Sequence, residues 1–153
     1  MKVRSKPIVI LMADDDQDDC MLVKDVFEEL HLAGDLYFVD DGDKLLDFLH
    51  HRGAYTEGNS YPRPSLILLD LNMPRKDGRE ALREIKADRS LRSIPVVILT
   101  TSNEEEDICR SYKAGANSFI TKPVTFEGLA DVMKSLGKYW FEIVELPSEA
   151  REA

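Results

Sequence analysis

The stretch IVILMADDD (residues 8–16) decides the fold of this chain. Its run Ile8–Met12 is continuously apolar and lacks the alternation that marks a strand with one face in water. Such runs are typical of strands buried on both faces, as in a parallel sheet covered by helices. The stretch therefore predicts a buried β-strand whose carboxyl end carries Asp14, Asp15 and Asp16.

Further short apolar runs follow, and each is followed by a stretch with helical spacing. These runs are Leu36–Val39, Leu66–Leu69, Val96–Leu99 and Ser118–Ile120. Strands that alternate with helices indicate βαβ units in one parallel sheet. We therefore predict an α/β fold, namely a doubly wound five-stranded parallel sheet with five helices.

Several helix ends and one loop can also be predicted. Ser102 followed by Glu105 has the spacing of a capping box and predicts the start of the fourth helix. The fifth helix should begin near Thr125. The segment Ala54–Pro64 is rich in Gly, Asn and Pro, so it predicts a long loop before the third strand.

Length, charge and cysteine content narrow the class of protein. A chain of 153 residues fits one domain, and its net charge of −9 disfavours binding to nucleic acid or to an anionic membrane surface. Cys20 and Cys109 have no Cys or His partner at metal-ligand spacing. The run Ile8–Met12 is too short for a signal peptide or a membrane span. We expect a cytoplasmic protein.

The polar residues that close the predicted strands are the candidate functional residues, because ligands of open parallel sheets bind at the carboxyl ends of the strands. Asp14 and Asp15 close the first strand, Asp70 the third, Thr100 the fourth and Lys122 the fifth. Neighbouring carboxylates repel each other unless a cation compensates. Mg²⁺ suits such a site, and a lysine with a hydroxyl can complete a pocket for a phosphoryl group.

Four motifs lie at these strand ends: ILMADDD (10–16), LLDLNMPRKDG (68–78), IPVVILTTS (94–102) and AGANSFITKP (114–123). Together and in this order they resemble the receiver domain of bacterial response regulators. The resemblance implies a flavodoxin-like fold with strand order 2-1-3-4-5. It places a receiver domain at 7–136 and an extended C-terminal helix and tail at 137–153.

The resemblance also implies roles for the residues at the strand ends. Asp70 would accept the phosphoryl group. Asp15, Asp70 and the main-chain carbonyl of Asn72 would coordinate Mg²⁺, for which Mn²⁺ can substitute, and Asp14 would act through a water molecule. The implied metal site therefore combines side-chain and main-chain oxygens.

Three further residues would respond to the phosphoryl group. Lys122 would pair with Asp70 and then with a phosphoryl oxygen, and Thr100 would move inward and donate its hydroxyl to another. Phe119 would fill the vacated space, so Thr100 and Phe119 would form the switch. In the family the bond between Lys122 and Pro123 is expected to be cis.

The function implied by the resemblance is that of a stand-alone two-component response regulator. A sensor histidine kinase would phosphorylate it, and it would signal through contacts with an unidentified downstream protein. It would not be a metabolic enzyme, although receivers catalyse their own phosphorylation and dephosphorylation. The loop Ala54–Pro64 and the apolar tail are similar to those of small regulators of phytochrome-type kinases.

Two other functions are compatible with parts of the sequence. A receiver can serve as an unphosphorylated scaffold, but the complete set of site residues disfavours this. A phosphatase with an aspartyl nucleophile would need a second acid two residues after Asp70, where this chain has Asn72.

The C-terminal segment carries more apolar residues than one packed helix face requires. We expect these residues to form a symmetric homodimer, whereas in the alternative the tail folds back on its own domain. The candidate dimer residues are Phe126, Met133, Tyr139, Trp140, Phe141 and Val144.

Overall fold

Five parallel strands form one sheet in the order β2-β1-β3-β4-β5, in a computed structural model that describes residues 8–31, 34–57 and 60–147. The strands are β1 (Ile8–Ala13), β2 (Gly34–Val39), β3 (Leu66–Leu69), β4 (Val96–Thr100) and β5 (Ser118–Thr121). This confirms the predicted fold class and strand order. Pro7, Gly58, Asn59 and positions 148–153, for which predictions were also made, lie outside the described residues.

The register aligns the carboxyl ends of the central strands. Ala13 of β1 pairs with Val39 of β2 on one side and with Leu69 of β3 on the other. Thr100 of β4 pairs with Thr121 of β5. The residues that follow these strands therefore meet at one edge of the sheet, as the sequence predicts.

Five helices connect and cover the strands: α1 (Gln17–Glu29), α2 (Gly42–His50), α3 (Gly78–Ala87), α4 (Glu105–Ala114) and α5 (Phe126–Lys138). Four have side-chain N-caps, in which Asp16, Asp41, Asp77 and Thr125 accept main-chain N–H groups. These bonds satisfy donors that the first helical turn leaves free. The start predicted near Thr125 is confirmed.

The predicted capping box at Ser102 is wrong. The N-cap of α4 is Glu104, which makes no side-chain capping bond. The Oγ of Ser102 instead donates to Asp107 Oδ2 at 2.6 Å. The same Oγ accepts the N–H of Glu104 at 3.4 Å, so Ser102 bonds the residue that caps α4 and does not itself cap the helix.

Each face of the sheet has its own apolar core. The first core contains the buried side chains of α2 and α3, and the second those of α1 and α5. All four residues of β3 and all five of β4 are buried, as expected for central strands covered on both faces. Within the described residues, no helix is long and apolar enough to cross a membrane.

The segment after α5 packs against its own domain. It continues as a π-helical turn, Tyr139–Ile143. Trp140, 8% exposed, belongs to the second core, and the rings of Phe141 and Phe27 meet edge to face with centroids 5.8 Å apart. Val144 packs on the same core. The structure therefore has the folded-back arrangement that the sequence left as the alternative.

This packing corrects part of the predicted dimer surface. Met133 and Trp140 are buried in the second core, so neither side chain lies on an exposed face. Among the other candidates, Phe126 is 59% exposed and Tyr139 is 50% exposed. The homodimer itself stays a prediction, and these two residues are its most exposed candidates, because Phe141 and Val144 are partly buried.

Trp140→Ala is expected to destabilise the domain by about 3 kcal/mol, because it removes a large buried side chain and leaves a cavity. Urea denaturation would measure the change in the free energy of unfolding. Tyr139→Ala is the matched control, since the adjacent Tyr139 is half exposed and should cost about 1 kcal/mol or less. Equal losses in the two variants would contradict the folded-back packing.

Candidate functional site

Three carboxylates converge at the carboxyl edge of the sheet. Asp14, Asp15 and Asp70 each place a carboxylate oxygen within 4.8 Å of the other two. Asp14 and Asp70 are buried, with 2% and 7% of their surface exposed, whereas Asp15 is exposed. The site is therefore an acidic pocket that is open to solvent on the side of Asp15.

Main-chain contacts fix the two buried carboxylates. The N–H of Asp14 donates to Val39 O at 3.0 Å, and that of Asp70 donates to Ala13 O at 2.9 Å, which extends the sheet by one residue on each strand. Gly78 is needed at the start of α3, because a Cβ there would lie 2.0 Å from the main-chain oxygen of Asp70. The close approach of α3 thus shapes the loop that follows Asp70.

Lys122 brings a positive charge into this acidic pocket. Its Nζ donates to Asp14 Oδ2 at 2.6 Å and to Asp19 Oδ2 at 2.8 Å, and it lies 3.7 Å from Asp70 Oδ2. The expected pairing with Asp70 is therefore an ion pair beyond hydrogen-bond distance. The shorter contacts are made with Asp14 and with Asp19.

Asp19 is a site residue that sequence reasoning missed. It lies in the first turn of α1 and is 9% exposed. A signal was present, because Asp19, Val23 and Val26 are spaced i, i+4, i+7 and so share one face of the helix. A carboxylate on the buried stripe of a helix needs a buried partner.

Burial and the ion pair shift the pKa values of the two central groups in the same direction. Burial raises the pKa of Asp14 to about 6, and the Lys122 ammonium opposes this rise. Burial alone would lower the pKa of Lys122, but its bonds to Asp14 and Asp19 outweigh that effect and raise it above its ordinary range. Lys122 is therefore a permanent cation at neutral pH.

Thr100 and Phe119 lie on the two strands next to the pocket. Thr100 is fully buried, and its Oγ1 has no hydrogen-bond partner among the residues that the structure describes. An unsatisfied buried hydroxyl costs about 1–3 kcal/mol. Phe119 is half-buried, and its N–H donates to the Tyr112 hydroxyl at 3.2 Å. Thr101 is exposed, which favours Thr100 as the inward-facing hydroxyl.

The loop after Asp70 is anchored to the cap of α2. Arg75 has a left-handed backbone, with φ of 63°, and its Nη1 donates to Asp41 Oδ2 at 2.6 Å. The N–H of Gly42 donates to Lys76 O at 2.9 Å. Asp41 is 1% exposed, so this pair ties the loop after Asp70 to a buried side chain.

A second anchor links the same loop to α4. The guanidinium of Arg79 makes a bidentate pair with Asp107, at 2.7 and 2.8 Å. The Nη1 of Arg79 also donates to Leu71 O at 3.4 Å and to Asn72 Oδ1 at 3.3 Å. Because Ser102 also donates to Asp107, one network joins the loop after β3, the loop after β4 and α4.

Asp107→Asn is expected to destabilise the domain by about 1.5–3 kcal/mol near neutral pH. This is the usual contribution of hydrogen bonds to a charged group. Bonds from Arg79 and Ser102 hold the pKa of Asp107 at about 2. Because folding lowers this pKa, the ionised carboxylate stabilises the folded domain above about pH 4. This stabilisation is lost as the pH falls towards about 2.

Denaturation series across this pH range would measure the difference between wild type and Asp107→Asn. Glu105→Gln is the control, because Glu105 is an exposed acid on the same helix. A difference that stays constant from neutral to strongly acidic pH would contradict this assignment.

The donor set fits a small, hard divalent cation. Three carboxylate oxygens close together carry more negative charge than one ammonium neutralises, and Mg²⁺ and Mn²⁺ both prefer oxygen ligands. The N–H of Asn72 donates to Asp70 Oδ1 at 3.3 Å, so the loop that contains the expected carbonyl ligand begins at the pocket.

The prediction of a cis peptide bond between Lys122 and Pro123 is wrong, because this bond is trans. The lysine nevertheless reaches the pocket, where Asp14 and Asp19 hold its ammonium. These two hydrogen bonds direct Lys122 inward although the bond before Pro123 is trans.

A family model of the response regulator receiver domain matches residues 10–134. The chain belongs to this family. Response regulator Rcp1 of Synechocystis sp. is 41% identical over 142 residues, which cover 93% of this chain and 95% of that protein. The probable methanogenesis regulatory protein FilR2 of Methanothrix harundinacea is 40% identical over 135 residues, covering 88% of this chain and 84% of that protein.

Two solved receiver structures are closely similar to this one. The Mn²⁺-bound form of Rcp1 superposes with a TM-score of 0.87 at 41% identity, over 93% of this chain and 100% of that one. The phosphorylated cyanobacterial phytochrome response regulator RcpA gives a TM-score of 0.87 at 37% identity, over 93% of this chain and 99% of that one. The protein is thus a receiver-domain response regulator of the two-component class, related to phytochrome response regulators.

Proposed function

We propose that this response regulator accepts a phosphoryl group on Asp70 from a histidine of a sensor kinase. The observation that carries the proposal is the convergence of Asp14, Asp15, Asp70 and Lys122 at the carboxyl edge of the sheet, with Lys122 Nζ 3.7 Å from Asp70. Carboxylates supply a nucleophile and cation ligands, and the ammonium supplies positive charge.

Asp70 is the nucleophile in the proposed transfer. One of its carboxylate oxygens forms a bond to phosphorus while the bond between phosphorus and the kinase imidazole breaks. The imidazole leaves with the bonding electron pair, and it leaves as a neutral ring when its other nitrogen carries a proton during the transfer. The product is an acyl phosphate on Asp70, whose negative charge the surrounding cations stabilise.

Lys122 and Thr100 form hydrogen bonds with the transferred phosphoryl group. The ammonium of Lys122 donates to one phosphoryl oxygen. The Oγ1 of Thr100, which lacks a partner among the described residues, gains an acceptor when it turns towards another phosphoryl oxygen. Phe119 on the neighbouring strand then occupies the space that Thr100 leaves. This ring carries no hydroxyl, so its inward position depends on packing alone.

Asp14, Asp15 and Asp70, with the main-chain carbonyl of Asn72, would hold Mg²⁺ in this site, with Asp14 acting through water; Mn²⁺ could take its place. When bound, the divalent cation neutralises charge on the transferring group. The oxygen-only donor set and the excess of carboxylates over cations support this assignment. The site chemistry also supports self-phosphorylation from small phosphodonors and self-dephosphorylation.

The proposed kinase is of the phytochrome type, and the signal passes on through contacts with a downstream protein. The similarity to Rcp1 and RcpA supports this choice of kinase. We also propose a stand-alone regulator that acts in the cytoplasm, where both cysteines stay free thiols.

Phosphotransfer profiling tests the proposed partner. A phytochrome-type histidine kinase, autophosphorylated on its histidine, and an unrelated sensor kinase would each be mixed with this chain for short times. We expect faster transfer from the phytochrome-type kinase, with the label on Asp70. Equal or slower transfer from that kinase would contradict the proposed pairing.

A further inference from the structure

Asp19 holds an unusual place in the pocket. Its carboxylate is buried at the start of α1 and accepts a bond from Lys122 at 2.8 Å. Helix capping does not explain this, because Asp16 caps α1 by accepting the N–H groups of Asp18 and Asp19. The exposed Asp18 supplies the negative charge that favours a helix N-terminus equally well.

The contacts of Lys122 indicate what Asp19 does. An ammonium has three N–H donors. Two are used by Asp14, which follows β1, and by Asp19 of α1, while Asp70 Oδ2 stays 3.7 Å away. The two bonds fix the position of Nζ and leave one donor for an acceptor near Asp70.

The charges around Lys122 support the same role for Asp19. If Asp19 is absent, Asp14 is the one carboxylate of these three that still accepts a hydrogen bond from Lys122. The ammonium is then free to move from its 3.7 Å ion pair into direct contact with Asp70. Such a contact would place the positive charge on the nucleophile before the phosphoryl group arrives. A second carboxylate therefore keeps the lysine close to Asp70 without a direct hydrogen bond.

We propose that Asp19 is a positioning residue of the phosphorylation site, which holds the Lys122 ammonium between α1 and Asp14 so that one N–H faces the incoming phosphoryl group. The inference deepens the proposed function and rests on it. Asp19 acts through Lys122 and does not itself contact the reacting atoms.

Phosphorylation kinetics test this role with matched variants. Asp19→Ala removes the acceptor and should slow phosphoryl gain from acetyl phosphate at saturating Mg²⁺ by roughly tenfold, as expected for a lost bond to a charged group. Asp19→Asn keeps a neutral acceptor and should lose less. Asp18→Ala removes an exposed charge from the same turn and should stay within about twofold of wild type.

A double-mutant cycle separates positioning from a general structural role. In a Lys122→Ala background, Asp19→Ala should cause no further loss of rate, because its effect passes through the lysine. An Asp19→Ala rate equal to that of Asp18→Ala would overturn the proposal. So would a loss of the same size with and without Lys122.

A readout without phosphorylation distinguishes failure of this inference from failure of the proposed function. The ¹⁵N NMR signal of the Lys122 ammonium, assigned by its disappearance in Lys122→Ala, should persist in Asp18→Ala and broaden in Asp19→Ala. If the wild type takes up no phosphoryl group, the proposed function fails, and this signal alone decides whether Asp19 holds Lys122. An unchanged signal in Asp19→Ala would overturn the positioning role.

Discussion

Lys122→Ala is expected to destabilise the metal-free domain by about 3–5 kcal/mol, the usual result of removing one partner from a buried ion pair. The buried carboxylates of Asp14 and Asp19 would lose the ammonium that now lies 2.6 and 2.8 Å away. Asp14, whose pKa that ammonium holds down, would then be protonated more readily. The same variant should lose most of its phosphorylation rate, because no other lysine of the described residues reaches Asp14 or Asp70.

Denaturation in EDTA and in millimolar Mg²⁺ would measure the stability loss. A divalent cation restores positive charge to the pocket, so the loss should shrink when Mg²⁺ is present. Lys24→Ala, an exposed lysine on α1, is the control and should change stability by less than about 0.5 kcal/mol. Lys122→Gln keeps a neutral donor and provides a second variant if the alanine protein does not fold. Wild-type stability in both lysine variants would contradict the central role of this ion pair.

Asp70→Asn is expected to abolish phosphorylation and to leave the fold intact. An amide nitrogen or oxygen cannot replace the carboxylate nucleophile. In the absence of Mg²⁺ the variant should be more stable than wild type by about 1 kcal/mol, because one of three mutually repelling carboxylates becomes neutral. The amide oxygen can still accept the N–H of Asn72, as Asp70 Oδ1 does at 3.3 Å.

Thermal unfolding with and without Mg²⁺ would measure both effects. The stabilisation of the wild type by Mg²⁺ should be smaller in Asp70→Asn, since one ligand is lost. Asp25→Asn, an exposed acid on α1, controls for the change in net charge. A clear loss of stability in metal-free Asp70→Asn would show that repulsion does not dominate this pocket.

The sheet and most of the pocket could be predicted because their signals are local. A continuous apolar run such as Leu66–Leu69 specifies a strand buried on both faces, and the residue after it lies at the carboxyl edge of the sheet. That reasoning placed Asp14, Asp70 and Lys122 in one region, and the structure brings them together.

The predictions that failed depend on contacts between distant residues. Ser102 has the spacing of a capping residue, but its hydroxyl donates to Asp107 of α4. Asp107 is in turn paired with Arg79 of α3. The isomer of the bond before Pro123 differs in energy by only about 0.5–1 kcal/mol in an isolated chain, so tertiary contacts decide it.

The burial of Asp19 and of Trp140 also depends on contacts that the local sequence pattern does not specify. An acid in a first helical turn is usually exposed, and its partner Lys122 lies 103 positions away in the sequence. An apolar helix face predicts burial, but the pattern is the same whether a second copy or the same chain covers it. Trp140 packs in the second core of its own domain.

Intact mass spectrometry after incubation with acetyl phosphate tests the central claim most directly. Wild type and Asp70→Asn would be treated in parallel with Mg²⁺ and with EDTA. We expect the wild type to gain one phosphoryl group only with Mg²⁺, and Asp70→Asn to gain none. Equal gain in both proteins, or gain that does not depend on Mg²⁺, would contradict Asp70 as the phosphoryl acceptor of this site.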